Sequence, residues 1–291
     1  MRILVVGCGY LGLRTAQIWV GQKHEVHAVT RSGERAAMLE QQGITPVIAD
    51  ITRPDSLSDF PSVDVVMFAV GFDRSLYNDI REVYVDGLQN VLNRLQQDDR
   101  VGQFVYISST GVYGNFDGDW VTEESLTDPQ RPGGLACLEA ERLIRASHLG
   151  SAATILRLAG IYGPDRIPRL QAITTQNWES LAPSGHVNLI HVQDAAQVTV
   201  DIVAQKQTGE LLLVADGAPP LRKDFYQFVA DELRAGPIDW SMTTTTDAGQ
   251  RAAVDKRISN QKLVKSLNYK FSFPDYKSGV QNAIERSSSS D

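Results

Sequence analysis

Three closely spaced glycines near the amino terminus have the pattern of a phosphate-binding turn. The motif reads Gly7-Cys8-Gly9-Tyr10-Leu11-Gly12, between an apolar run typical of a buried strand, Ile3–Val6, and a helical pattern over Leu11–Val20. The first glycine permits a tight turn, the second lets the backbone approach a pyrophosphate, and the third lets helix and strand pack closely. Because a helix amino terminus offers free N–H groups and partial positive charge, the motif predicts a dinucleotide site rather than a purely geometric turn.

The end of the second predicted strand indicates which dinucleotide is preferred. An NAD-binding protein usually carries Asp or Glu there to hold the ribose hydroxyls. This chain reads HAVTRSGER over 27–35 and has Arg31 near that place. A guanidinium there would pair with the 2′-phosphate of NADP and stack on adenine, and Ser32 and Arg35 could add donors. We therefore expect NADP to be preferred over NAD; the alternative is a solvated arginine at a strand end.

Asp50 is a further candidate at the adenine end of the same site. It follows the apolar run Ile44–Ile48, which predicts the third strand. Its carboxylate is placed to accept a hydrogen bond from the adenine amino group. An equally simple alternative is that it caps a short following turn.

Alternating strands and helices are needed to bring these residues together. Apolar runs that predict strands lie at Ile3–Val6, Val26–Thr30, Ile44–Ile48, Val63–Val70, Phe104–Ile107 and Thr154–Leu158. Helical patterns between them include one that carries Tyr84, Leu88, Val91, Leu92 and Leu95, and another over Glu139–His148. The alternation predicts an α/β fold, a doubly wound parallel Rossmann sheet of about seven strands with helices on both faces.

The second part of the chain has a different organisation. After Gly163-Pro164 the alternation weakens, with strands predicted at Val187–Val192 and Leu211–Val214 and helices from about Asp194 and over Asp224–Leu233. We expect residues 1–164 to form the dinucleotide-binding domain. We expect residues 165–291 to form a smaller, mostly helical substrate-side part that covers the carboxyl ends of the strands and returns elements to the first domain.

Composition excludes several function classes. The 291 residues are 42% hydrophobic, and 28 Lys and Arg against 35 Asp and Glu give a net charge of -7, which argues against nucleic acid as a partner. Two cysteines are too few for a disulfide framework or a zinc cluster, so we expect a reducing, cytoplasmic location and no metal. No apolar run reaches the roughly 18 residues of a spanning helix, and glycines interrupt the first one, so neither membrane association nor a signal peptide is expected.

Taken in order, several motifs resemble one known family. Besides the glycine turn they are Ala69-Val70-Gly71, the segment VYVDGLQNVL over 83–92, YISSTGVYG over 106–114, LRLAGIYGP over 156–164 and IHVQDAA over 190–196. Up to about residue 230 the chain resembles the extended short-chain dehydrogenases/reductases, the NAD-dependent epimerase/dehydratase family that acts on sugar nucleotides. The resemblance implies cofactor contacts from Ala69, Val70, Gly71 and Ser108, in addition to Gly7, Gly9, Tyr10, Leu11 and Gly12.

The chain departs from this family at the residues that move the proton. Members use a Ser or Thr with a Tyr and a Lys four residues apart, and Ser109 matches the serine. The pattern Y-x-x-x-K-L-x-A-E, however, aligns Gly133 with the tyrosine and Cys137 with the lysine, and no Tyr or Lys occurs between Asp117 and Ser151. Glycine has no titratable group and a thiol is never cationic, so the standard proton relay is missing. The chain is therefore expected to be an atypical member.

Ser109, Tyr113 and His191 are the candidate catalytic residues in the absence of the standard proton relay, and Cys137 is a further alternative. Ser109 would orient a substrate, and Tyr113 follows it closely, although the family's Val-Tyr-Gly tyrosine is usually a packing residue. His191 has a side chain that titrates near neutral pH, although its segment more often orders the chain beside the substrate cleft. Cys137 as a nucleophile has no base next to it in sequence.

Two functions of different classes remain open from the sequence. One is an NADP-dependent oxidoreductase or epimerase with a non-standard acid/base, acting on a small polar molecule such as a sugar nucleotide. The other is a non-catalytic NADP(H)-binding module, a sensor or scaffold. In the family the helices corresponding to Val83–Leu95 and Leu138–Ala146 often pair across a dimer, so the resemblance also implies a possible homodimer.

Overall fold

A computed structural model describes residues 1–73, 75–77, 79–96, 98–242 and 254–288. Eleven strands occur in these residues: β1 (Arg2–Val6), β2 (Glu25–Thr30), β3 (Thr45–Ile48), β4 (Val65–Phe68), β5 (Gln103–Ser109), β6 (Trp120–Val121), β7 (Ala153–Leu158), β8 (Gly160–Tyr162), β9 (Leu189–His191), β10 (Leu211–Val214) and β11 (Arg257–Ile258). Seven of them form one parallel sheet in the order β10-β7-β5-β4-β1-β2-β3. The predicted α/β fold and strand number are therefore confirmed.

Nine α-helices accompany the strands in the described residues. They are α1 (Tyr10–Gly21), α2 (Gly33–Glu40), α3 (Gly87–Leu95), α4 (Pro132–Ala146), α5 (Leu170–Thr174), α6 (Val192–Ala204), α7 (Arg222–Glu232), α8 (Gln261–Leu267) and α9 (Tyr276–Ser288). Helix α1 packs on β1 and β2, α2 on β2 and β3, and α4 on β5. None of the helices in the described ranges has the length and apolar character needed to cross a bilayer.

Strand register decides which residues emerge together at the carboxyl edge of the sheet. Val6 of β1 pairs with Val29 of β2 on one side and with Phe68 of β4 on the other. The segments that follow these strands therefore leave the sheet side by side. The strand order reverses between β1 and β4, and such a switch point is where open α/β sheets bind ligands.

The chain divides into two compact units. The first comprises residues 1–113, 127–157 and 195–212, and the second comprises residues 114–126, 158–194 and 213–291. In the first unit, buried side chains such as Leu4, Val66 and Phe104 form the core beside the sheet. The second unit has its own core, with Phe225 and Val280 among its fully buried members. The predicted boundary at residue 164 stays a prediction.

Two local features differ from the expectations. The apolar run Val63–Val70 forms a strand only over Val65–Phe68, and the next residue, Ala69, lies against Gly7 of the glycine turn. Helix α2, which the sequence did not indicate, begins at Gly33, two residues after Arg31. It is capped by Ser32, whose hydroxyl accepts from the N–H of Arg35.

Candidate functional site

The glycine turn is built by close backbone approaches. Gly7 has φ +98°, and a side chain there would place its Cβ 2.5 Å from the carbonyl carbon of Ala69. A Cβ at Gly12 would overlap the carbonyl oxygen of Gly7. Around Gly9, by contrast, no atom of the described residues beyond its chain neighbours lies within 4 Å of a Cβ position. Two glycines therefore serve packing, while Gly9 leaves space above the turn for a ligand.

Helix α1 points its amino terminus at this space. It begins at Tyr10 with Gly9 as its cap and has no acidic residue in its first turn. Arg14 lies over the ring of Tyr10 and donates to the Tyr10 carbonyl. The partial positive charge of the helix end and the bare glycine cap fit the diphosphate of a dinucleotide.

A cavity of about 360 Å³ lies beside the turn. Its lining includes six residues that the sequence analysis singled out: Gly7, Gly9, Arg31, Asp50, Val70 and Gly71. Other members of the lining are Thr30, Ile51, Phe72, Asp73, Tyr77 and Val83. The remaining cofactor candidates, Tyr10, Leu11, Gly12, Ser32, Arg35, Ala69 and Ser108, lie outside this lining.

Arg31 and Asp50 are joined through a tyrosine on the cavity wall. Nη1 of Arg31 donates to the hydroxyl of Tyr77 at 2.7 Å, and that hydroxyl reaches Oδ1 and Oδ2 of Asp50 at 3.1 and 3.2 Å. Partial burial alone would raise the pKa of Asp50. Hydrogen bonds from Thr52 and Tyr77, with the charge of Arg31, outweigh it and lower that pKa below its usual value. Asp50 is therefore a carboxylate acceptor at neutral pH.

Arg35 braces the glycine turn itself. Its Nη2 donates to the carbonyl oxygen of Cys8 at 3.0 Å. Helix α2 thus contributes a cation directly behind the turn, while Ser32 is occupied as the cap of that helix. Burial raises the pKa of the Cys8 thiol to about 11, although the charge of Arg35 acts in the opposite direction.

Tyr77 is the site residue that sequence reasoning missed. It stands 27 positions after Asp50 and 46 after Arg31 along the chain. No motif marks it, and a tyrosine in a loop after a strand is unremarkable by type. A possible signal was its place just beyond β4, at the sheet edge where the glycine turn also lies.

The serine and tyrosine candidates at the end of β5 are both engaged locally. Oγ of Ser109, which is half-buried, accepts from the N–H of Gly111 at 3.0 Å and caps a short turn. Tyr113 is 2% exposed, and its hydroxyl accepts from Nη1 of Arg157 at 2.6 Å. Tyr113 is thus a packed residue whose oxygen is held by a buried cation.

Beneath this pair lies a buried ion pair. Arg157 contacts Glu141 through two hydrogen bonds, Nε to Oε1 at 2.9 Å and Nη2 to Oε2 at 2.6 Å. Oγ of Ser108 donates to Oε1 of the same carboxylate at 2.6 Å. Ser108 therefore serves this network, beneath the surface of the sheet edge.

The two positions that replace the family's proton relay lie on α4. A Cβ at Gly133 would be 3.5 Å from Cδ1 of Ile80, an ordinary contact, so crowding does not exclude a larger residue there. Burial and the negative charge of Glu141 raise the pKa of Cys137 to about 12, although hydrogen bonds from Tyr106 and Ser108 lower it. Cys137 is consequently a neutral, buried thiol.

His191 lies in the second unit, packed among aromatic rings. Its ring is 3.9 Å from that of Phe273 and 5.4 Å from that of Tyr162, centroid to centroid. The side chain is completely buried, and Nδ1 accepts from the N–H of Gln193. This packing orders the chain around β9. In the described parts of the chain, no group of three His, Cys, Asp or Glu side chains could hold a metal ion.

A seven-stranded parallel sheet with a glycine turn at its switch point defines a Rossmann-like α/β protein. The sequence model of the NAD dependent epimerase/dehydratase family matches residues 3–215, and the chain therefore belongs to that family. Protein YeeZ of Escherichia coli K12 is 27% identical over 94% of this chain and 97% of that protein.

Two solved structures illustrate the likeness. A protein of Methylobacillus flagellatus named for the same family is 30% identical, with a TM-score of 0.79 over 98% of both chains. A dTDP-glucose 4,6-dehydratase of Bacillus anthracis, determined in complex with NAD, is 14% identical, with a TM-score of 0.78 over 100% of this chain and 97% of that one. At that identity the likeness concerns the fold alone.

Proposed function

We propose that this protein binds NADP(H) at the glycine turn, and that it does so without the proton relay used by its family. The observation that carries the proposal is the position of Arg31 on the wall of the cavity that begins at Gly7 and Gly9. A diphosphate at the turn and an adenosine in the cavity bring the ribose to the end of β2, where Arg31 is the charged residue.

The charge pattern around the cavity supports NADP over NAD. A guanidinium pairs with a phosphate dianion through parallel N–H donors, whereas ribose hydroxyls are better held by a carboxylate. Arg35, which already donates one N–H to Cys8, adds a second positive charge near the turn. Asp50 accepts from the adenine amino group, because its carboxylate stays ionised at neutral pH.

When bound, the nicotinamide ring supplies a hydride donor or acceptor. The residues of this chain then bind and orient rather than exchange a proton by the usual route. Gly133 has no proton to give, the thiol of Cys137 stays neutral, and the hydroxyl of Tyr113 is held by Arg157. The primary form of the proposal is therefore a binding module that senses the cofactor or presents it to a partner.

A second candidate function is an oxidoreductase or epimerase acting on a sugar nucleotide. It is favoured by Ser109, a half-buried residue at the carboxyl end of β5. Its hydroxyl accepts one hydrogen bond from Gly111 and retains its own proton for a substrate oxygen. His191 and Tyr113 are the remaining acid/base candidates in this version.

Calorimetric titration of the full chain with NADP and with NAD tests the binding. Tighter binding of NADP is expected, and absence of binding by either dinucleotide would overturn the proposal. Incubation of the complex with a panel of sugar nucleotides, followed through the nicotinamide absorbance and product analysis, separates the two versions. If the protein turns over a sugar nucleotide and Ser109→Ala abolishes that turnover, the protein is an enzyme rather than a binding module.

A further inference from the structure

We infer that Tyr77 is a specificity-determining residue, which positions Arg31 for the 2′-phosphate of NADP. The inference rests on the proposed function, since it names the device by which the same site would distinguish NADP from NAD. It concerns a residue outside the glycine turn and outside the motif at the end of β2. The carrying observation is the chain of contacts from Arg31 through Tyr77 to Asp50 on one cavity wall.

The chemistry of the three side chains assigns the direction of each hydrogen bond. A guanidinium only donates and a carboxylate only accepts, while a phenol hydroxyl can do both. Arg31 therefore donates to the oxygen of Tyr77, and Tyr77 directs its single proton to the carboxylate of Asp50. Because each end is charged, both bonds belong to the stronger class.

The ring of Tyr77 adds a second contact to the same arginine. Cζ of Arg31 lies 5.1 Å from the ring centroid, within the range of a cation–π interaction. Apart from this tyrosine, Arg31 is an exposed side chain at a strand end. An exposed arginine samples many rotamers, so holding it in one place removes an entropic cost that phosphate binding would otherwise carry.

Tyr77 also separates the two charges that it joins. Its hydroxyl lies between Arg31 and Asp50, so the guanidinium is linked to the carboxylate without forming a direct ion pair. Because the hydroxyl of Tyr77 takes up one N–H of Arg31, we expect the other donors to be available to the 2′-phosphate. Oδ1 of Asp50 also accepts from the N–H and the hydroxyl of Thr52, which leaves Oδ2 as the oxygen better placed for the adenine amino group.

The test compares Tyr77→Phe with the unchanged full chain. The variant keeps the ring but loses the bridging hydroxyl, so affinity for NADP should fall about tenfold, as expected for a hydrogen bond to a charged group, with NAD nearly unaffected. Adenosine 2′,5′-bisphosphate and AMP, used as fragments, should show the same contrast. Tyr276→Phe is the control, because Tyr276 packs against Phe225 and Phe228 in the second unit and is not part of the cavity lining.

A double-mutant cycle with Arg31→Ala tests whether the loss of NADP affinity in Tyr77→Phe depends on the arginine. In the Arg31→Ala background, Tyr77→Phe should cause no further loss of NADP affinity. If Tyr77→Phe retains the full NADP preference, or weakens NADP and NAD equally, Tyr77 does not position Arg31 and the inference is wrong while NADP binding stands. If the unchanged protein itself shows no preference for NADP, the proposed function fails and the inference falls with it.

Discussion

The guanidinium of Arg157 and the carboxylate of Glu141 form a two-point ion pair in which the side chains are only 6% and 2% exposed. Ser108 donates to the same carboxylate, and Tyr113 accepts from the same guanidinium. The ion pair joins α4, which carries Glu141, to β7, which carries Arg157, and Ser108 adds β5 to the same network. Burial alone would lower the pKa of Arg157, but the hydrogen bonds and charge of Glu141, with the hydroxyl of Tyr113, raise it above its usual value, so the guanidinium stays charged.

Removing one partner of this pair should strongly destabilise the fold. Arg157→Met leaves the Glu141 carboxylate buried without its counter-charge, and we expect a loss of about 3–5 kcal/mol in the free energy of unfolding. Urea denaturation at neutral pH measures it. Arg81→Met is the control, since Arg81 pairs with Asp86 and Glu139 at the exposed surface and should change stability little. Equal losses in the free energy of unfolding of the two variants would show that the buried ion pair contributes no more to stability than the exposed ones.

Arg31→Ala should weaken NADP binding far more than NAD binding. The loss of a guanidinium that pairs with a phosphate is expected to reduce NADP affinity roughly tenfold to a hundredfold. Calorimetry with both dinucleotides provides the comparison. Arg53→Ala removes another exposed arginine that is not part of the cavity lining and should change neither affinity. Equal losses of both dinucleotides in Arg31→Ala would show that Arg31 does not contact the 2′-phosphate.

Two glycines of the turn should separate binding from stability. Gly9→Ala meets no atom of the described residues beyond its chain neighbours and should leave unfolding nearly unchanged, yet its methyl group occupies the space proposed for the diphosphate and should abolish dinucleotide binding. Gly12→Ala places a methyl group on the Gly7 carbonyl and should cost about 1–3 kcal/mol of stability. Thermal unfolding with and without NADP distinguishes the two. Undiminished binding by Gly9→Ala would contradict the position assigned to the diphosphate.

Neither cysteine should react rapidly in the native state. Burial raises the pKa values of Cys8 and Cys137 to about 11 and about 12, so the nucleophilic thiolate is scarce at neutral or mildly alkaline pH. We expect iodoacetamide to modify both only after denaturation, as followed by mass spectrometry. Rapid labelling of Cys137 in the folded protein would restore it as a candidate nucleophile.

Asp216 should make the stability of the second unit depend on pH. Burial, reinforced by the charges of Asp275 and Asp194, raises its pKa to about 7, and in the described residues Oδ2 has no hydrogen-bond partner. Its folded-state pKa lies above the unfolded value. Its favourable contribution is therefore complete at acidic pH and is lost as pH rises toward and through about 7.

The substitution Asp216→Asn removes the charge while keeping the shape of the side chain. Relative to the unchanged protein, the variant should gain stability progressively from acidic to mildly alkaline pH, by on the order of 4 kcal/mol in total. Thermal and urea unfolding across this range measure the difference. The control Asp239→Asn alters an exposed carboxylate whose pKa is lowered by Ser241, so it should not produce this gain. If the difference in stability between Asp216→Asn and the unchanged protein does not change with pH, Asp216 does not ionise in this range with the raised pKa.

Short-range patterns predicted most of the sheet correctly. The run Ile3–Val6 forms β1 with one added residue, and Leu211–Val214 coincides with β10. Such runs can be recognised in the sequence because a strand buried on both faces is apolar at every position, and this property concerns consecutive residues only. Helix α2 was missed, since only four of its eight residues are apolar and its cap, Ser32, was interpreted as a phosphate donor.

The contacts that define the candidate site could not be predicted from the sequence in the same way. Arg31 and Asp50 were each identified from their positions after strands, but their connection through Tyr77 spans 46 and 27 positions. Cys137 could be interpreted as a nucleophile until its burial beside Glu141 was known. Both depend on side-chain surroundings that no local window contains.

The sequence alone determined that a glycine turn opens a helix after a buried strand, that an arginine stands where an acid is usual, and that the tyrosine and lysine of the proton relay are absent. These are matters of residue type and spacing. Only the tertiary structure decided that Tyr77 joins Arg31 to Asp50 and that Arg157 and Glu141 hold Tyr113 and Ser108. The reason is physical: strand order and register bring distant segments to one sheet edge, and burial there decides which groups are charged.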